Sequence, residues 1–155
     1  MSKIKLLVAF VLIALLVTIN VVSAQPQNFR AVLSGAEENP PVDTTAQGVA
    51  IFQLDDSGSS MSYKLIVANI ENVVAAHIHC GAVGVNGPVG VTLFGGSIVT
   101  VNGILAQGEI TTPDSGNACG WTDLAEVVAA LESGDTYVNV HTTVNPGGAI
   151  RGQVH

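Results

Sequence analysis

The sequence predicts an all-β fold: a sandwich or barrel of about eight short strands, with one short helix near residues 122–133. Three observations carry this. From residue 28 onward, apolar and polar side chains alternate in short runs rich in β-branched residues. Clusters of Gly, Pro, Asp and Ser separate the runs at the spacing of a β-sandwich or barrel. A single stretch switches from period two to the helical period.

The first 24 residues precede that domain. Lys3 and Lys5 lead into the apolar run Leu6–Ile19, and Val22-Ser23-Ala24 is a small-x-small ending. This is the form of a secretory signal peptide cleaved after Ala24. Read instead as an uncleaved anchor, Leu6–Val22 lies at the short limit for spanning a bilayer, and only this segment would bring the protein to a membrane. Residues 25–155 form one domain.

The strand runs begin with Phe29, Ala31 and Leu33, alternating with Asn28, Arg30, Val32 and Ser34. They continue through 47–54, 62–69, 73–80, 88–94, 104–111, 136–143 and 149–155. Between the sixth and seventh, Leu124, Val127, Val128 and Leu131 fall at i, i+3, i+4 and i+7. Thr122 is placed to cap that helix, Asp123 to favour its amino end and Gly134 to stop it. Two long loops remain, 35–46 with Glu37, Glu38 and Asp43, and the glycine-rich 81–88.

Removing residues 1–24 leaves Arg30, Lys64 and Arg151 against all twelve acidic residues, a formal charge near −9. So acidic a domain has no basic patch for phosphates, which argues against a nucleic-acid partner. The glycine-rich loop lacks the Gly-Lys-Ser/Thr of a phosphate loop. No Gly-x-Ser-x-Gly supports a hydrolase. Glu37 and Glu38 are adjacent loop acids outside any EF-hand pattern, and they would raise the local cation concentration without coordinating.

Chemistry can reside in the histidines. His77 and His79 sit two apart in a strand, on one face and about 6.5–7 Å apart along it. Ile78 and Cys80 face the other way. In 136–143, Val138, Val140 and Thr142 share the inner face, and Tyr137, Asn139 and His141 the outer one. If the two strands are neighbours, three imidazoles converge, a donor set suited to copper or zinc. Otherwise they are ordinary polar surface. Binding would weaken as pH falls through about 6.5, the reference His value. Across the 142–148 turn, Asn139 falls opposite Arg151 and Tyr137 opposite Gln153. That register leaves His155 roughly 20 Å from His141, outside any shared site. Cys80 and Cys119, an even count in an exported chain, read as a disulfide; the rival is Cys80 as a thiolate ligand beside His79.

The strings LSGAEENPPVDTTAQGVAIF, AHIHCGAVGVNGPVGVTLF and YVNVHTTVNPGGAIRGQV, in this order, resemble a chordin-type (CHRD) domain from Phe29 to Val154. The family is named from repeats in the animal protein chordin and also occurs as single exported domains in bacteria and archaea. A more distant likeness is to copper–zinc superoxide dismutases, Greek-key β-barrels with a disulfide. His77 and His79 match their paired copper motif, His141 a late copper ligand, and Arg151 in GGAIRG an active-site Arg region. No further histidines supply a bridging ligand or zinc site. The resemblance implies a Greek-key architecture and one copper (or zinc) ion on His77, His79 and His141, with Asn139 and Arg151 as supporting residues. Three functions follow: a non-enzymatic exported metal binder with copper favoured, an extracellular adhesion or interaction module that binds a protein partner without metal, and a copper oxidoreductase of the dismutase type.

Overall fold

The computed structural model describes residues 27–155, so the amino-terminal segment and its cleavage point lie outside the described residues. The chain forms β1 (Asn28–Ser34), a 3-10 turn (Gly35–Glu37), β2 (Gln47–Leu54), β3 (Met61–Cys80), β4 (Val89–Ile110), α1 (Leu124–Ser133), β5 (Thr136–Thr142) and β6 (Ile150–Gln153). The all-β fold with one short helix is as expected. One antiparallel sheet, in the order β2-β1-β6-β5-β3-β4, closes into a barrel by pairing β2 with β3.

Eight runs become six strands because two pairs of runs are continuous. The first half of β3 pairs with β2, from Met61↔Leu54 to Ala68↔Gln47. Its second half pairs with β5, from Val73↔Thr142 to Cys80↔Thr136. Strand β4 follows β3 along its length. The ribbon bends between its halves, where Asn69 and Asn72 adopt positive φ and the pairing register shifts repeatedly. Asparagine tolerates this left-handed conformation better than other non-glycine residues. The break between the runs 62–69 and 73–80 thus bends a ribbon instead of reversing the chain.

Alternation sends Leu33, Phe52, Leu65, Ile78, Val138 and Ile150 inward, where each is almost fully buried. Helix α1 adds Leu124, Val127, Val128 and Leu131 to that core. Its N-cap is Asp123, not Thr122: the Asp123 carboxylate accepts from the Glu126 N–H at 3.0 Å. Glu126 reaches back to accept from the Thr122 N–H and hydroxyl, because a carboxylate one residue nearer the first turn meets the orphan amides more directly. Gly134 ends the helix at φ 74°. A disulfide joins Cys80 at the end of β3 to Cys119 in the loop before α1, so Cys80 is not a thiolate ligand.

Candidate metal centre

Strands β3 and β5 are neighbours, with His77 opposite Asn139, His79 opposite Tyr137 and Ala75 opposite His141. Period-two geometry then brings His77, His79 and His141 together on the side of the sheet away from the core. One ring nitrogen from each lies within 4.8 Å of the others, an arrangement that could hold a metal ion. The β5–β6 pairing sets Tyr137 opposite Gln153 and Asn139 opposite Arg151, as the sequence register required. His155 instead exchanges backbone hydrogen bonds with Arg30 on β1 and does not join the cluster.

Two of the rings are oriented by main-chain carbonyls. His79 Nδ1 donates to Gly87 O at 2.9 Å, and His141 Nδ1 to Pro146 O at 2.9 Å. Each bond fixes the tautomer and leaves Nε2 without a hydrogen, as outer hydrogen bonds do for metal-ligating histidines. His141 Nε2 lies 3.1 Å from His77 Nδ1; since His141 Nε2 has no hydrogen, His77 Nδ1–H is the donor. His79 Nε2 is buried with no hydrogen-bond partner among the described residues. Two nitrogens bound to one ion at about 2.0–2.1 Å sit roughly 3 Å apart, so the His77–His141 spacing already suits a shared ligand.

The cluster is not open surface. His79 is only 8% exposed, and His77 and His141 are half-buried. Burial lowers all three pKa values. His77 falls to about 4, pressed further by the neighbouring charges His141 and His79 would carry. His79 and His141 are lowered as well, against the opposing pull of their carbonyl bonds. All three imidazoles are therefore neutral at neutral pH, the state that binds metal. Protons compete at lower pH than the reference value of about 6.5 suggested.

Around the triad lies a polar layer that alternation alone does not reveal. Tyr137 stacks on His79, with centroids 4.7 Å apart and an interplanar angle of 8°. The Arg151 guanidinium lies 3.4 Å from the centre of the Tyr137 ring. Arg151, 2% exposed, donates to Asn86 Oδ1 and to the carbonyls of Val85 and Ala82. It thereby holds the 81–88 loop whose Gly87 carbonyl orients His79. Asn139 Nδ2 donates to Glu38 Oε1 at 2.8 Å. Glu38 is not a solvent-facing loop acid: it is 7% exposed, and burial pushes its carboxyl up to about 7 against the attraction of Arg151. Gly148, at φ 137°, is where these two side chains meet, and any Cβ there would strike both. Tyr137 was visible as a neighbour of Asn139 and His141 on one strand face. The sequence marked Glu38 only as a loop acid that raises the local cation concentration, and no pattern in it signalled this burial.

A family model for the CHRD domain matches residues 29–154. The chain belongs to the CHRD family. This CHRD domain is also 29% identical over 131 residues to chordin of Xenopus laevis, a stretch that covers 79% of this chain. It spans 12% of chordin's length. No solved structure matches the chain.

Proposed function

We propose that this is an exported CHRD domain that binds one transition-metal ion, copper in preference to zinc, through His77, His79 and His141, without catalysing a reaction. The buried, unpartnered Nε2 of His79 carries the reading. A buried lone pair without a partner is costly, and here it points among two other neutral imidazoles. A bound ion would satisfy it and offer Lewis acidity or, for copper, a redox centre. His77 must shift its proton from Nδ1 to Nε2 to take part. Copper is favoured by the affinity order of nitrogen sites. Asn139 and Arg151 act as supporting residues, Asn139 by tying Glu38 beneath the site and Arg151 through Tyr137 and the 81–88 loop. A binding role fits because these surroundings fix the orientation of the rings and the loops around them.

Export is supported by the disulfide, which persists in oxidising compartments, together with the signal-like first 24 residues; the native protein should begin at Gln25. Titration calorimetry of copper into the purified protein tests the metal reading. About one site per chain is expected, strongly weakened by His77→Ala, His79→Ala or His141→Ala and unchanged by His155→Ala. Indifference to all four substitutions would leave the interaction-module reading in its place. Redox turnover by the copper-loaded protein would overturn the non-enzymatic role.

A further inference from the structure

The far side of the barrel carries a second surface. The outward residues of β1, β2 and β3 fall into cross-strand rows that continue onto β4 across a register shift between Leu65 and Ile66. Val32 pairs with Val49, Val49 with Ile66, and Ile66 with Ile104. Three of these side chains are 53%, 36% and 49% exposed, for Val32, Ile66 and Ile104 respectively. The next row runs Arg30, Ile51, Lys64 and Gln107. Arg30 and Lys64 are exposed. The one other basic side chain among the described residues, Arg151, is buried. All twelve acids lie within the same described residues. A four-residue apolar row thus lies beside both exposed cations of an otherwise acidic domain. A concavity of about 340 Å3 opens where Val32, Val49 and Ile66 meet.

We propose that this face docks an extended segment of a partner protein whose side chains alternate between apolar and acidic. An extended chain presents alternate side chains to opposite edges. Laid across the strands, one edge rests on the Val32–Ile104 row and the other reaches Arg30 and Lys64, about 6.5–7 Å away. Charge selects the partner: elsewhere the domain repels carboxylates, whereas here it attracts them. Size selects a segment over a second copy of the chain. Four strands at about 4.8 Å spacing and two rows give on the order of 300 Å2, well below the roughly 800 Å2 per partner of a stable interface. An anionic membrane fits less well, because short Val and Ile side chains fixed on a sheet insert poorly and the acidic domain repels the headgroups. The surface is separate from the histidine cluster, so the proposal stands without the metal reading.

The test is selection of a phage-displayed random dodecapeptide library on the purified protein, counter-selected on a variant carrying Arg30→Gln, Lys64→Gln and Ile66→Asn. These exposed substitutions should leave the circular dichroism spectrum and melting temperature unchanged. Enriched peptides should alternate apolar residues with Asp or Glu. A synthetic copy should bind with an affinity that falls at least tenfold with Ile66→Asn or with the paired cation substitutions, falls with added salt, and is indifferent to chelator and to His79→Ala. The proposal is overturned if no sequence is enriched over the variant, if enriched peptides lack acidic residues, or if the substitutions leave binding intact. It is equally overturned if they abolish binding to phosphatidylglycerol vesicles or abolish a dimer while peptide binding is absent.

Discussion

Arg151 lies over Tyr137, its guanidinium carbon 3.4 Å from the ring centre, while that ring also stacks on His79. A buried cation is thereby linked to a histidine of the cluster through one aromatic ring, and to the 81–88 loop through its fork of hydrogen bonds. Replacing it should therefore affect both folding and the site.

Arg151→Met leaves the carbonyls of Ala82 and Val85 and the side chain of Asn86 without their donor. The expected loss is about 2–4 kcal/mol, seen as a lower midpoint in urea unfolding. Copper affinity should fall with it, because Gly87 no longer holds the His79 ring. Arg151→Lys keeps the charge but loses the planar fork, and should recover only part of either quantity.

Glu38 gives a pH dependence of opposite sense to ordinary paired carboxylates. Its folded pKa of about 7 lies above the ordinary Glu value of 4.5, so the folded state keeps a proton that the unfolded state has released. That contribution is full below about 4.5 and is lost as pH rises through 7. Apart from the opposite trend that the histidines contribute up to about pH 6.5, Glu38 should impose on denaturant unfolding between pH 5 and 8 a decline on the order of 1–2 kcal/mol after allowance for screening. Glu38→Gln, which mimics the protonated acid, should flatten it.

The histidines act the other way. Their folded pKa values lie below the ordinary His value of 6.5, His77 at about 4. Their contribution to the metal-free protein is full above about 6.5 and is lost as pH falls through the folded values. Copper should accordingly stay bound at pH 5.5, where free imidazoles are mostly protonated, and be released as pH approaches 4. Copper absorbance followed during acid titration measures this. Release complete by pH 6 would contradict it.

The Cys80–Cys119 bridge closes a loop of 39 residues. Chain entropy alone then assigns it about 4 kcal/mol. Cys119→Ser, or reduction under native conditions, should lower the melting temperature by many degrees. Because Cys80 directly follows His79, reduction should also loosen copper binding, which calorimetry before and after reductant would show.

Much of the architecture was legible in the sequence because period-two patterning reports directly on which side of a strand faces the core. The same rule, with a short turn to fix the register, placed Asn139 opposite Arg151 and kept His155 away from His141. It failed where turn chemistry served a different purpose: Asn69 and Asn72 bend one ribbon, so the runs on either side of them are a single strand. It also identified the outer face of β5 without showing what covers it. Loops 35–46 and 81–88 contribute Glu38 and the Gly87 carbonyl from far along the chain, and the turn after β5 contributes the Pro146 carbonyl. Neither loop has a period to read. Tyr137, Asn139 and Arg151 were thus found as neighbours, whereas their burial and the proton on Glu38 belong to the folded packing.

The two ends of the described domain lie side by side. Arg30 N donates to His155 O at 2.8 Å, and His155 N to Arg30 O at 3.0 Å, so the last residue lies against the third position of β1. A module whose entry and exit coincide occupies almost no contour length in a host chain. It can be set into a surface loop of a larger protein, or strung in series with copies of itself, without prying its neighbours apart. The backbone geometry therefore lets the same unit serve alone or as a small fraction of a much longer polypeptide.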